Sequence, residues 1–298
     1  MRNLKERIFG PVRFIPGMNR GRYPYCNSVY IEAAGVLIDP GSNRERLMQI
    51  RENNGIQMVW LSHWHEDHFV HLDLLDDFPL WMSELDTPPL ANLDVFLDWY
   101  GVKDENERAY WRIELKEKFH YRPRKPERLL QHADIIDLGN VTVEVIQTPG
   151  HTPGHLAFFF REPEILFLGD YDLTSFGPWY GDRYSSIDQT INSIKILREI
   201  PAKVWLTCHE TGVFEEESRT FFDDYLGVIQ TREDKFLELL KHPRTMEEIV
   251  DTWIIYGRKR EPIEIYTFGE RANMQKHLDR LMANRVVKFE NGKYCRID

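Results

Sequence analysis

The seven residues Ser62-His-Trp-His-Glu-Asp-His68 constrain this chain more than any other stretch of it. They put His63, His65, Asp67 and His68 directly behind the apolar run Met58–Leu61, which reads as a buried strand. In extended backbone, residues two apart point the same way, so His63 and His65 can present both rings to one cation. Past a bend, Asp67 and His68 can face a second. Solvated histidines in an ordinary loop are the competing reading of so short a motif, so the decision lies in the rest of the chain.

Three later stretches each deliver a donor to the end of a strand. Val141–Ile146 runs into Thr148-Pro-Gly-His-Thr-Pro-Gly-His155, where two prolines and two glycines make a rigid loop around a histidine. Ile165-Leu-Phe-Leu-Gly-Asp170 is an apolar strand ending on an acid, which is costly there unless it is paired or faces a cation. Val204-Trp-Leu-Thr207 leads into Cys208-His209-Glu210.

The patterns His-x-His-x-Asp-His and Thr-Pro-Gly-His-Thr-x-Gly-His resemble signatures of the metallo-β-lactamase superfamily, the second being typical of its glyoxalase II-like branch. The resemblance covers about residues 25–235 and implies an αββα fold, two facing mixed sheets with helices outside and a dinuclear centre along one edge. It implies His63, His65 and His151 on one ion, Asp67, His68 and His209 on the other, and Asp170 between them. Asp67 would also be catalytic, orienting the attacking hydroxide. Two departures stand out: Phe69-Val70-His71 replaces the glycines that often follow the first motif, and Cys208-His209-Glu210 replaces the usual Pro-Gly-His-Gly. His71 and His155 then read as core or supporting residues, and Cys208 as a small buried hydrophobe.

Nitrogen and oxygen donors suit zinc, and equally iron or manganese. Two divalent ions bring a shared water to a pKa near ~7, so the implied chemistry is hydrolysis by a bridging hydroxide. The expected substrate is a small ester-type molecule, a thioester or lactone. The alternative is an endoribonuclease of the lactamase-β-like kind; a non-heme iron oxidoreductase is the weaker third reading. Charge bears on this choice. Residues 1–234 carry 25 lysines and arginines against 38 acids, a poor surface for tracking a phosphate backbone, whereas residues 235–298 carry 13 against 10.

That asymmetry suggests two domains, a catalytic one through residue 234 and a tail at 235–298. A helical insertion is expected at 83–128, with one helix from Thr87 to Tyr100, a second from Asp104 to Phe119, and Tyr121–Glu127 as a solvated loop. Phe96, Trp99, Tyr100, Tyr110 and Trp111 should pack on the layer beneath. In the tail, helices including Ala272–Ala283 and a hairpin turning at Asn291-Gly292 read as a winged-helix-like unit. Its expected role is interaction or self-association, with nucleic-acid binding second. Because every candidate ligand precedes residue 210, the tail should be dispensable for chemistry. Tyr171, Phe176, Trp179 and Tyr180 either line a substrate pocket or pack in the core. Cys26, Cys208 and Cys295 are too scattered for a disulfide framework, and no apolar run reaches membrane length, so a cytoplasmic protein with no membrane partner is expected.

Overall fold

The computed structural model describes residues 5–215 and 220–297. Seven strands form the first sheet in chain order: β1 (Arg7–Phe9), β2 (Val12–Ile15), β3 (Ser28–Ile31), β4 (Val36–Ile38), β5 (Met58–Trp60), β6 (Leu80–Ser83) and β7 (Arg128–Leu130). Pairing is antiparallel as far as β4 and parallel from β4 to β7. Parallel neighbours need crossover connections, and helices supply them. Helix α1 (Arg44–Glu52), capped by the Asn43 side chain, joins β4 to β5. The short α2 (Glu66–Phe69) follows β5, and α3 (Thr87–Ala91), α4 (Leu93–Tyr100) and α5 (Glu105–Glu117) connect β6 to β7. The expected insertion is therefore the crossover between two adjacent strands of the sheet.

The second sheet has the order β13-β12-β11-β10-β9-β8. Its strands are β8 (Ile135–Asp137), β9 (Thr142–Gln147), β10 (Leu156–Phe160), β11 (Ile165–Phe167), β12 (Val204–Leu206) and β13 (Val213–Phe214). Only β11 and β12 among them are parallel, and α6 (Ile187–Glu199) makes that crossover. Side chains alternate as sheets buried on both faces require. Phe14, Val29, Ile38 and Trp60 meet Val143, Phe158, Phe160 and Phe167 between the sheets, with the Trp60 and Phe158 rings 5.4 Å apart. Tyr30, Leu37 and Val59 face α1 outside. On the far side Ile146, Ala157 and Leu166 face α6 and α7 (Thr220–Leu239). Each such large aliphatic or aromatic side chain adds roughly 1.5–3 kcal/mol on burial, and the result is the αββα sandwich.

Three expectations fail locally. The stretch Thr87–Tyr100 is two helices, because Asn92 is extended and its side chain accepts from the Asp94 and Val95 amides, capping a new helix. The segment after α5 is not merely solvated: Tyr121 is buried with its hydroxyl donating to Pro89 O, and Arg124 donates to the Leu75 and Phe78 carbonyls. Tyr110 stands half exposed on α5 instead of packing inward. The β1–β2 hairpin, turning at Gly10-Pro11, was not anticipated because its strands are too short for a periodic signal.

Beyond α7 lie α8 (Met246–Val250), whose Thr245 and Glu248 form a capping box, and α9 (Ile263–Ala283), nine residues longer at its start than its apolar pattern indicates. The hairpin of β14 (Val287–Glu290) and β15 (Lys293–Arg296) turns through Asn291 and Gly292, both at positive φ. Phe236, Leu240, Ile249, Met274, Leu278 and Tyr294 form a core for this region. Helix α7 belongs to both cores, through Phe222 and Tyr225 at one end and Phe236 at the other.

Candidate metal centre

The carboxyl ends of β4, β5, β11 and β12 open on one edge of the sandwich, and every charged motif lies there. Residues 62–68 follow β5, the 148–155 loop joins β9 to β10, Asp170 follows β11 and His209 follows β12. His63 Nε2, His65 Nδ1 and His151 Nε2 converge to 2.9–3.2 Å from one another. Three ligand nitrogens about 2.0–2.1 Å from a tetrahedral cation stand roughly 3.3 Å apart, so this spacing is that of a cation site.

Asp170 divides its two oxygens. Oδ2 lies 3.2 Å from His151 Nε2 and 3.8 Å from His63 Nε2, while Oδ1 lies 2.9 Å from His68 Nε2 and 3.2 Å from His209 Nε2. Asp67 joins the second group, 3.5 Å from His209 and 3.9 Å from His68. His68 Nε2 and Asp170 Oδ1 are buried, yet neither makes a properly directed hydrogen bond. Buried polar atoms that approach without bonding each other are what donors to a common cation look like. Among the described residues, His63, His65, His151 and Asp170 thus form one grouping and Asp67, His68 and His209 another.

The protonation of each imidazole follows from what its other nitrogen touches. His63 Nδ1 donates to Ser62 Oγ at 2.9 Å, because that hydroxyl spends its own proton on Asp39 at 2.6 Å. His68 Nδ1 donates to Asp39 at 3.0 Å, and His151 Nδ1 to the Trp179 carbonyl at 3.0 Å. His209 Nδ1 donates to the Gly21 carbonyl. His65 is reversed: Nε2 donates to Asp182 at 2.7 Å, freeing Nδ1. All five rings thus aim their remaining nitrogen inward.

Electrostatics agree. Burial pushes the Asp170 carboxyl up, but His68, His209, His63 and His151 outweigh it and hold the group well below the usual range. Burial draws His65 down and Asp182 draws it up more strongly, to about 9, which makes its inward nitrogen a better donor. His155 is buried, donates from Nδ1 to Thr148 Oγ1 at 2.8 Å and accepts the Asp170 amide on Nε2 at 3.1 Å, a support for Asp170 and not one of the converging donors. Cys208 packs in the core between the sheets beside Asp39. His71 is buried, and neither ring nitrogen has a hydrogen-bond partner among the described residues.

Of the four aromatic candidates, Trp179 alone keeps a half-buried ring beside the centre, 5.8 Å from that of His65 and 6.0 Å from that of His151. Tyr171 is buried beneath the Asp170 turn, its hydroxyl donating to Thr148 O. Phe176 packs toward the C-terminal core, and Tyr180 is wholly buried with its hydroxyl on His277. These three engage the scaffold because their carbonyl, hydroxyl or ring already has a partner there.

Five supporting acids lie outside the expected set, and one of them, Asp172, accepts the His209 amide at 2.8 Å. Asp39 holds the Ser62 amide, the Ser62 hydroxyl and His68. It ends an apolar strand just as Asp170 does, so the same signal was available. Asp86 accepts from Thr152 and from the Gly154 amide, both at 2.6 Å, clamping the His151 loop; burial raises it to about 7. Glu66, inside the motif itself, accepts from Tyr23 and Tyr100. Asp182 sits in a loop with no periodic signal at all.

A model of the metallo-beta-lactamase superfamily matches residues 22–209. A hydroxyacylglutathione hydrolase of Bartonella henselae is 28% identical over 210 residues, covering 70% of this chain and 70% of that protein. An acyl-coenzyme A thioesterase of Gallus gallus is 28% identical over 176 residues, covering 57% of this chain and 58% of that one. Among solved structures, a metallo-beta-lactamase family protein of Thermus thermophilus superposes with a TM-score of 0.73 at 21% identity, covering 96% of this chain and 99% of that chain, a likeness of fold. Since the family match spans well over half of the chain and ends on His209, the last of the converging histidines, the protein belongs to the metallo-beta-lactamase superfamily.

Proposed function

We propose that the protein uses two divalent cations to hydrolyse a small acyl ester, with thioesters and lactones the leading substrates. The divided carboxylate of Asp170 carries this reading, because one oxygen toward each histidine group suits a ligand between two ions. His63, His65 and His151 would hold one ion and Asp67, His68 and His209 the other. The donor set suits zinc first, with iron or manganese compatible. When bound, such a pair acidifies water and polarises a carbonyl oxygen.

The chain's own residues supply the rest. Asp67 accepts a hydrogen from the attacking water and points its lone pair at the acyl carbon. Asp182, Asp39, Ser62 and the Gly21 and Trp179 carbonyls keep the imidazole protons facing outward. The Trp179 ring excludes bulk water and offers an apolar wall to the acyl group. A thioesterase among the relatives supports the substrate class, as does the acidic balance of residues 1–234; residues 235–298 read as a winged-helix-like part joined to the rest through helix α7. Among the described residues no helix is long and apolar enough to cross a membrane.

Elemental analysis of the purified protein, run beside a panel of acyl thioesters, lactones and single-stranded RNA, tests the reading. Two ions per chain and metal-dependent acyl turnover lost in His151→Ala are expected. One ion in a fully active protein would remove the dinuclear assignment. Salt-sensitive RNA cleavage without ester turnover would put the endoribonuclease in its place.

A further inference from the structure

The segment from Phe176 to Ser185 has two faces. One touches the centre: the Trp179 carbonyl holds His151, Asp182 holds His65, and Ser185 Oγ donates to the His151 carbonyl at 2.7 Å. The other face is held by helices α7 and α9. The Tyr180 amide donates to Asn273 Oδ1 at 3.0 Å, and Lys276 Nζ donates to the Arg183 and Ser185 carbonyls at 2.8 and 2.9 Å. The Tyr180 hydroxyl donates to His277 Nε2 at 2.6 Å and accepts from Arg232, which also donates to the Pro178 and Phe176 carbonyls.

Arg232 explains why the arrangement is stiff. Its side chain is buried, and its acceptors are two carbonyls and a hydroxyl of this one segment. A buried guanidinium stripped of acceptors is strongly unfavourable, so the segment cannot drift without stranding that charge. Beyond Tyr180 the chain of bonds continues: His277 Nδ1 faces Glu233 at 3.4 Å, and Glu233 accepts from Arg280 at 2.6 Å. Asn273 and His277 are themselves fully buried. The other group of ligands is supported from elsewhere. His68 rests on Asp39 at the end of β4, as His63 of the first group does through Ser62, and the His209 ring rests on Gly21 in the loop before β3.

We infer that α9, acting through residues 176–185, sets the affinity of one cation site, that of His63, His65 and His151, and leaves the site of Asp67, His68 and His209 nearly untouched. Asn273, Lys276 and His277 are positioning residues in this scheme. The expectation that the tail is dispensable for chemistry gives way with it, since residues beyond 240 hold the neighbours of the two carriers of ligand orientation, Tyr180 beside Trp179 and Arg183 beside Asp182. The inference rests on the dinuclear reading.

The test is a titration of the demetallated full-length protein with Co²⁺, following the visible absorption of each bound equivalent and its competition with a chelator. Wild type should take two equivalents. Lys276→Met and Asn273→Ala should each weaken one equivalent several-fold, short of the ~10–100-fold that removing a direct partner of a ligand costs, while the other holds within about twofold. Lys276→Arg, which keeps a cationic donor, should restore the weakened one. Ile249→Val, in the C-terminal core and making none of the hydrogen bonds to residues 176–185, should lower the melting temperature with both equivalents intact. Equal weakening of both equivalents, weakening of neither, or the same loss in Ile249→Val would overturn the inference. A wild type that takes a single equivalent would instead overturn the dinuclear reading on which it stands.

Discussion

The rings of His68 and His209 are held from the N-terminal side of the molecule, by Asp39 where β4 ends and by the Gly21 carbonyl. His65 and His151 are held by a segment that follows β11 and is itself pinned by helices near the C-terminus. The first support is short and built into strand ends, with the Asp39 backbone at a φ of 52° that an aspartate tolerates better than most residues. The second is long and reaches through three successive layers of contact. Two neighbouring groups of ligands can therefore differ in rigidity while sharing one carboxylate, and the difference lies in what stands behind each imidazole.

Asp170 is the converging donor that faces both halves, so Asp170→Ala should erase the distinction. Both cations should be lost or loosened together and turnover should fall by more than the 10–100-fold that an outer partner is worth. Elemental analysis that still finds two tightly held ions would show that the halves are independent. Asp67→Asn isolates the second half: kcat should drop about a hundredfold or more with KM changed only a few-fold, because the carboxylate acts on the attacking water and not on the substrate. Steady-state kinetics with unchanged kcat and a raised KM would remove that role.

Gly41→Ala reaches the same half from behind. A methyl group there would collide with the Asp67 carbonyl and with Cys26 Sγ, so the Asp67 backbone must shift, and the atoms nearest the new methyl belong to Asp67 and Cys26 and not to His63, His65 or His151. The expected result is roughly tenfold weaker binding of one Co²⁺ equivalent, the mirror image of Lys276→Met; both variants weakening the same equivalent would break the comparison.

The smallest effect concerns His71, whose backbone amide donates to Pro40 next to that glycine. Burial, with the nearby Arg44 charge, lowers its pKa to about 4. A base depressed below its unfolded value near 6.5 adds stability above that value and loses it as pH falls toward 4. Wild type should thus lose up to ~1.4 kcal/mol per pH unit in that window relative to His71→Leu. Denaturant melts at pH 7 and pH 5 measure this, and parallel losses in both proteins would contradict the assignment.

Much of this centre was legible before any coordinates. The ligands sit in short motifs beside apolar strands, and both the period of two and the cost of an acid at a strand end are local properties of sequence. The same rule applied to Gly35-Val-Leu-Ile-Asp39 would have exposed Asp39. Nothing comparable marks Asp182, which acquires its role only because the backbone brings it 117 residues along the chain to His65. The aromatic residues after Asp170 mislead for a related reason: exposed pocket walls and buried scaffold use the same side chains, and only the fold reveals that Tyr171 and Tyr180 already have partners.

By itself, then, the sequence determined most of the strands and the donors at their ends, because these follow from residue type and spacing over ten residues or fewer, and it pointed to the sandwich through the family resemblance its motifs carry. The tertiary structure decided which nitrogen of each imidazole faces inward, and which distant element keeps it so. Those are outcomes of contacts between segments far apart in the chain, and a hydrogen bond from Lys276 to the Arg183 carbonyl leaves no pattern in either stretch.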